Sequence, residues 1–117
     1  MKLRKYDIAL ADLEKTRGKE QFGIRPVVIL QTNALNEIET GSYVIAPMST
    51  RLRTWGTAVT VEKSGGNGLD KDSRIELSQI ATIDEERIKK YLGTLDEKYR
   101  GELREKIERL FDLYDEF

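Results

Sequence analysis

The chain contains no cysteine and no histidine, and these two absences remove several classes of chemistry. Without cysteine there can be no disulfide framework, no zinc ribbon and no thiol nucleophile. Without histidine the chain lacks the commonest general base and the commonest ligand of transition metals.

Long apolar runs are also absent, and no segment approaches membrane-spanning length. The start of the chain, MKLRKYDIAL, is too short and too charged for a signal peptide, so a cytoplasmic protein without membrane contact is expected. The carboxylates Asp70 and Asp72 are too few and too weakly arranged to predict a metal site. The glycines at 65, 66 and 68 lack the Lys-Ser/Thr pair and the following helix of a P-loop. We therefore expect no metal and no cofactor.

The length of 117 residues predicts a single domain over 1–117, because a second core is unlikely to form in so short a chain. A domain of this size leaves much apolar surface exposed, which is compatible with self-association. The formal net charge is −1, but residues 1–60 carry a net charge of +3 and residues 61–117 a net charge of −4. The mildly basic first half permits contact with a polyanion without predicting it.

The pattern of apolar residues predicts strands through the first two thirds of the chain. A half-buried strand is expected over residues 6–11 and a long loop over residues 14–24. The apolar run over 26–30 predicts a strand buried on both faces, with Pro26 at its first position, where a missing N–H costs little. Further elements are expected as strands over 42–47, 57–62 and 74–83, an edge strand over 91–93 and a short helical turn within 32–41.

The end of the chain predicts a helix. Thr94 and Glu97 have the spacing of a capping box, so the helix is expected to begin at Thr94. One apolar stripe follows at intervals of three and four residues, and it comprises Tyr99, Leu103, Ile107, Leu110, Phe111 and Tyr114. This stripe suits core or dimer contact rather than a membrane surface. A membrane-binding helix would have a basic polar side, whereas the polar side of this helix is as acidic as it is basic. The predicted fold is α+β: a mostly antiparallel small barrel or curled sheet with a helix packed against it.

The segment from Arg17 to Pro26 resembles the G-x-E-Q-x-G-x-R-P signature of the MazF/PemK toxin family. Before it stands a D-I-x-x-x-D-L strand, and after it come an Ala-Pro-Met-Ser-Thr segment, the segment 78–84 and the amphipathic helix, in the family's order. The resemblance implies a small SH3-like barrel of the CcdB/PemK type that works as a homodimer. It implies a metal-independent endoribonuclease that cuts single-stranded RNA to 2′,3′-cyclic phosphate and 5′-hydroxyl ends. It also implies a type II toxin–antitoxin system, in which a cognate MazE-like antitoxin restrains the toxin.

The resemblance makes Arg25 the first catalytic candidate. Arg25 stands where a loop is expected to enter a buried strand, and the residue before a proline is held extended, so its backbone is fixed. Its fork of donors suits phosphate oxygens, and since arginine stays charged it would stabilise charge or donate a proton. Judged without the family, a strand-end arginine paired with Glu14 or Glu20 is the more ordinary interpretation.

A carboxylate and a hydroxyl complete the catalytic set that the resemblance implies. Glu20, from the same signature, is a candidate for activating the 2′-hydroxyl of RNA, and equally for fixing the loop by accepting hydrogen bonds. The family's catalytic threonine falls in a P-x-T-[ST] context, where this chain has Pro47-Met48-Ser49-Thr50. Ser49 is therefore the candidate hydroxyl donor, and Thr50 takes its place if the register shifts by one residue. An ordinary loop cap is the competing interpretation.

The segment 51–55 is the strongest nucleic-acid feature of the sequence. Arg51 and Arg53 stand beside Trp55, so the two arginines could hold an RNA backbone while the tryptophan stacks on a base. The alternative is a flexible loop whose Trp55 tucks onto the barrel. From the family motifs, Gln79 is a candidate for reading a base or holding a loop, and Arg17 is a further substrate-binding candidate.

The sequence departs from the family pattern in its second half. Ser78 replaces an acidic residue and Ala81 a basic one. Some members place an active-site arginine and aspartate where this chain has Glu76 and Ser78, so that arrangement does not transfer. The alternative function is a non-catalytic member of the same fold, either a gyrase-poisoning CcdB-like toxin or an RNA-binding barrel. The E-Q-x-G-x-R-P run favours the nuclease, because gyrase poisons do not share it in this form.

Overall fold

The structure, a computed structural model, describes residues 2–13, 23–51 and 57–113. Its strands are β1 (Asp7–Leu13), β2 (Gly23–Ile29), β3 (Ser42–Ser49), β4 (Ala58–Val61), β5 (Ser73–Glu76), β6 (Ala81–Asp84) and β7 (Ile88–Thr94). Its α-helices are α1 (Asn33–Glu37) and α2 (Arg100–Leu110), and 3₁₀ turns cover Leu77–Gln79, Glu85–Arg87 and Glu97–Tyr99. These elements confirm the α+β class. Neither α-helix in this part of the chain is long and apolar enough to cross a membrane.

The sheet runs in the order β4-β5-β3-β2-β1-β7, with β6 also paired to β3, and every pairing is antiparallel. Two register shifts interrupt the ladder between β1 and β7, and such irregularities bend a sheet. Within the described residues the sheet does not close into a barrel, because the strands at its two ends, β4 and β7, do not pair with each other. The fold is therefore a curved antiparallel sheet with the C-terminal helix packed against it.

Alternate residues of the central strands feed two apolar cores, one on each face of the sheet. The first core contains residues of β1 to β5 together with the helix α2, among them Ile8, Val28, Met48, Ile75 and Leu103. The second core contains the neighbouring residues of β1, β2 and β3 together with a residue of β6, among them Ala9, Val27, Ile29, Ile45 and Ile83. As predicted, the apolar run of β2 is buried on both faces.

β2 begins earlier than the sequence pattern predicts. The pattern places Gly23 and Ile24 in a loop, but both belong to the strand, so Pro26 lies in the middle of β2, opposite Leu10. The paired residues between β2 and β3 begin one position later, at Val27. Pro26 has no N–H to donate. It is tolerated in the middle of the strand because it lies outside the ladder between β2 and β3.

The single strand predicted over residues 74–83 is wrong, because a 3₁₀ turn divides it into β5 and β6. Both strands pair with the same edge of β3: Ile45 lies opposite Ala81 and Met48 lies opposite Ile75. Two residues of β3 separate these pairs, whereas five residues, 76–80, separate them on the other side. The surplus residues must leave the ladder, and the turn Leu77–Gln79 accommodates them.

The predicted helix start at Thr94 is also wrong. Thr94 is the last residue of β7, and its hydroxyl donates to Asp7 Oδ1 at 3.0 Å instead of capping a helix. A 3₁₀ turn then precedes α2, which begins at Arg100. The predicted apolar stripe is largely confirmed, since the side chains that pack against the first core include Tyr99, Leu103, Ile107 and Leu110. Phe111 is exposed instead, and Tyr114 lies outside the described residues.

Candidate active site on one face of the sheet

Arg25 and Ser49 are carried by neighbouring strands. Arg25 lies in β2 opposite Ala11 of β1, and Val27 two residues later lies opposite Pro47 of β3. Continuing this antiparallel register by two residues brings Arg25 opposite Ser49, the last residue of β3. Because side chains alternate along a strand, Arg25 and Ser49 project from the same face of the sheet.

Ser49 is 5% exposed, and its Oγ accepts a hydrogen bond from the backbone N–H of Arg51 at 3.1 Å. The loop-capping interaction expected as the competing interpretation is therefore present. This bond uses the hydroxyl as an acceptor, and among the described residues no acceptor of its proton is seen, so the proton can be donated to a ligand. Thr50, the next residue, is exposed and follows the strand. By strand alternation, Ser49 is the hydroxyl on the face that carries Arg25.

The remaining described candidates flank this strand. Arg51 is exposed and is the second residue after β3, following Thr50. Gln79 is half-buried and ends the turn between β5 and β6, beside the middle of β3. Four sequence candidates, Arg17, Glu20, Arg53 and Trp55, lie outside the described residues, and their roles stay predictions.

Arg74 and Glu76 form a charged pair in this region that the sequence analysis missed. Arg74 lies directly opposite Ser49 on one side of β5 and directly opposite Thr60 of β4 on the other. Its Nη2 forms an ion pair with Oε1 of Glu76, and the two side chains are only 5% and 6% exposed. A signal was present in the sequence, since opposite charges two residues apart share one face of a strand.

The Arg74–Glu76 pair is incompletely satisfied. Nε and Nη1 of Arg74 are buried and have no hydrogen-bond partner within the described part of the chain. A buried donor without an acceptor costs about 1–3 kcal/mol. Arg25, Ser49 and Arg74 thus follow one another across three adjacent strands, with a guanidinium on each side of a hydroxyl. This arrangement concentrates hydrogen-bond donors, and guanidinium groups suit the oxygens of phosphates and carboxylates.

Solved structures of known toxins share this architecture. The Mycobacterium tuberculosis toxin MazF-mt6 superposes with a TM-score of 0.74 at 27% identity, covering 91% of this chain and 96% of that one. An endoribonuclease in complex with its cognate antitoxin, from a mycobacterial species, superposes with a TM-score of 0.80. The superposition covers 97% of this chain and 99% of that one. Because the sequences are only 20% identical, this likeness shows a common fold alone.

The sequence itself defines the family. The family of PemK-like, MazF-like toxins of type II toxin–antitoxin systems matches residues 4–111. Endoribonuclease MazF of Staphylococcus saprophyticus is 40% identical over 108 residues, which cover 91% of this chain and 88% of that protein. The chain therefore belongs to the PemK/MazF toxin family, which confirms the resemblance stated from the signature.

Proposed function

We propose that this chain is a toxin endoribonuclease that cuts single-stranded RNA without a metal ion. Membership of a toxin family of type II toxin–antitoxin systems supports the biological role. The relative that is 40% identical is named an endoribonuclease, which supports the activity. The observation that carries the proposal for this chain is the shared sheet face of Arg25 and Ser49, which pairs a phosphate-binding cation with a hydroxyl donor.

The proposed reaction uses the 2′-hydroxyl of the RNA as the nucleophile. A bond forms between O2′ and phosphorus, the bond between phosphorus and O5′ breaks, and the products are a 2′,3′-cyclic phosphate and a 5′-hydroxyl. The 2′-hydroxyl loses its proton to a base, for which Glu20 is the candidate, and O5′ gains a proton from Arg25 or from water. Arg25 and the Ser49 hydroxyl donate to the phosphoryl oxygens, where charge develops in the transition state.

Substrate contacts are proposed on both sides of this centre. Arg51 is exposed two residues beyond the end of β3 and is suited to contact a neighbouring phosphate. Arg53 would contact the next phosphate and Trp55 would stack on a base. The polar side chains proposed to contact the nucleotides beside the cut are Arg17, Thr50 and Gln79.

A cognate antitoxin is the proposed protein partner, and the active species is proposed to be a homodimer. An acidic antitoxin tail would be attracted by Arg25 and Arg51, and it needs apolar anchors to offset its ordering entropy. Ile24, next to Arg25, is 64% exposed and offers such an anchor. In a dimer, two-fold symmetry would present this surface twice.

The decisive experiment incubates the purified protein with a mixed RNA pool in the presence of a chelator and sequences the cut ends. Cleavage that leaves cyclic phosphate and 5′-hydroxyl ends is expected. Arg25→Ala protein, purified in the same way, controls for contaminating nucleases. A matched oligonucleotide with a 2′-deoxy residue at the cut site must stay intact, because it lacks the nucleophile. Strict dependence on added magnesium, or no cleavage of any RNA, would contradict the proposal.

A further inference from the structure

The guanidinium of Arg74 is the least satisfied charged group in the described part of the chain. Nη2 forms an ion pair with Glu76, whereas Nε and Nη1, like Oε1 of Glu76, are buried and have no hydrogen-bond partner among the described residues. A buried cation keeps its place only when charge and hydrogen bonds compensate it. Glu76 supplies the charge, but two donor nitrogens still lack acceptors. Nε and Nη1 could therefore donate to an anion while Glu76 stays paired with Nη2.

The position of Arg74 shows where such an anion would lie. Ser49 is its direct partner across the ladder on one side and Thr60 on the other. Directly opposed residues in an antiparallel pair have Cβ atoms about 4.5–5.5 Å apart, so the Arg74 side chain reaches the surroundings of the Ser49 hydroxyl. Thr60 and Thr50 are both exposed, so solvent is only one residue away from this buried group. The unmet donors of Arg74 thus border the face on which Arg25 and Ser49 meet.

We infer that Arg74 is a further phosphate-binding residue of the RNA site. Its Nε and Nη1 donate to a phosphoryl oxygen of the phosphate held by Arg25 and Ser49, from the β5 side of the hydroxyl. Glu76 holds the guanidinium in place and balances its charge when no RNA is bound. The inference rests on the proposed ribonuclease function, because it assigns Arg74 to the substrate of that same site.

The test needs a variant that loses the guanidinium and still folds. Replacing both members of a buried ion pair with apolar residues of similar volume is often neutral or stabilising. Arg74→Met combined with Glu76→Leu is therefore expected to melt at or above the temperature of the parent protein. Its cleavage rate under saturating RNA is expected to fall on the order of a hundredfold or more, as when one donor to a developing oxyanion is removed. The same double replacement of the exposed ion pair on α2, Arg109→Met combined with Glu105→Leu, is the matched control and should keep the parent's rate and salt dependence.

Binding provides a second measurement that does not depend on cleavage. An RNA oligonucleotide with a 2′-deoxy residue at the cut site is titrated at several salt concentrations. Replacing Arg74 and Glu76 together removes one positive and one negative charge, so the slope of log K against log salt should stay near the parent's. The double variant should nevertheless bind this oligonucleotide on the order of tenfold or more weakly, because donors to a charged phosphate are lost. A folded double variant that cleaves and binds like the parent would show that Arg74 is structural only. A parent protein that neither binds nor cuts RNA would overturn the proposed function and this inference together.

Discussion

Ser49 of β3 and Arg74 of β5 lie directly opposite each other in an antiparallel ladder, and both side chains are almost completely buried. β5 has strands on both sides, so its residues are fixed by hydrogen bonds along two edges. Arg25 lies in β2, on the other side of β3. The candidate site is therefore built on three adjacent strands of a rigid sheet. Sites on regular elements hold their groups more precisely than sites on loops.

Replacing Arg25 by alanine is expected to abolish cleavage while the protein stays folded, because Arg25 is half-buried at the beginning of β2 and contributes little to either core. Loss of one donor to the transition state costs on the order of a hundredfold or more in rate. Arg25→Lys should fail as well, since an ammonium group cannot present a planar fork. Single-turnover cleavage is the measurement, with exposed Arg104→Ala on α2 as the control. Near-normal turnover by folded Arg25→Ala protein would refute the assignment.

Ser49→Ala is expected to reduce the rate more than Thr50→Ala, although less than Arg25→Ala. Ser49 shares the sheet face of Arg25, whereas Thr50 is exposed beyond the end of β3. Ser49→Ala also removes the acceptor of the Arg51 N–H, which is expected to cost about 0.5–1.5 kcal/mol of unfolding free energy. Rates and urea unfolding curves of both variants separate the two effects. A larger rate loss for Thr50→Ala would place the catalytic hydroxyl one residue later.

Acid is expected to weaken the fold through Asp96. Partial burial raises the pKa of Asp96, but hydrogen bonds from Ser64 and Asn67, together with the nearby Lys98, outweigh that effect and hold the pKa below its ordinary value of 3.8. Because the unfolded chain then binds the proton more tightly, this carboxylate stabilises the fold above about pH 4. The contribution is lost as pH falls through the lowered pKa.

Asp96→Asn should therefore be less stable than the parent protein at neutral pH. The difference in stability should shrink as the pH falls below the pKa of Asp96 in the folded state. Urea midpoints at a series of pH values measure the difference, with the exposed Asp70→Asn as control. An equal gap between Asp96→Asn and the parent at every pH would contradict the assignment.

Two glycines should respond to alanine in opposite directions. A Cβ at Gly93 in β7 would collide with backbone atoms of Gly66 and Asn67, which cannot move aside easily. Gly93→Ala is therefore expected to destabilise the fold by about 1–3 kcal/mol. A Cβ at Gly101 in α2 meets nothing within 4 Å, and alanine there should stabilise by up to about 1 kcal/mol. Urea unfolding at neutral pH gives both values, and equal midpoints for the two variants would contradict this reading of the packing.

Much of the fold is predictable from local patterns, and the errors have identifiable causes. The apolar run at Val27 and the stripe around Leu103 were interpreted correctly, because burial dictates both patterns. The capping box at Thr94 was misleading: the Thr94 hydroxyl bonds to Asp7, a residue 87 positions away in sequence. The turn Leu77–Gln79 results from a difference in residue count between β3 and the paired segments. Neither long-range feature has a local signature.

The candidate site was predicted only in part for a similar reason. The family signature identified Arg25, and the strand that follows it supplied the register that brings it to Ser49. Arg74 was missed because alternation over 74–83 assigns polar residues to a solvent-facing side. In the fold, β5 lies between two strands, and Arg74 and Glu76 satisfy each other's charge where water is excluded.

The 3₁₀ turn between β5 and β6 has a consequence for how such a toxin can diversify. Leu77 is fully buried, whereas the next residue, Ser78, is exposed outside the ladder. A mutation at Ser78 therefore changes neither the core volume nor a strand pairing, so it meets little selection for folding. If the proposed contact of Gln79 with RNA holds, the groups that this turn presents can be exchanged one codon at a time. The scaffold can in this way acquire a new preference without passing through an unstable ancestor.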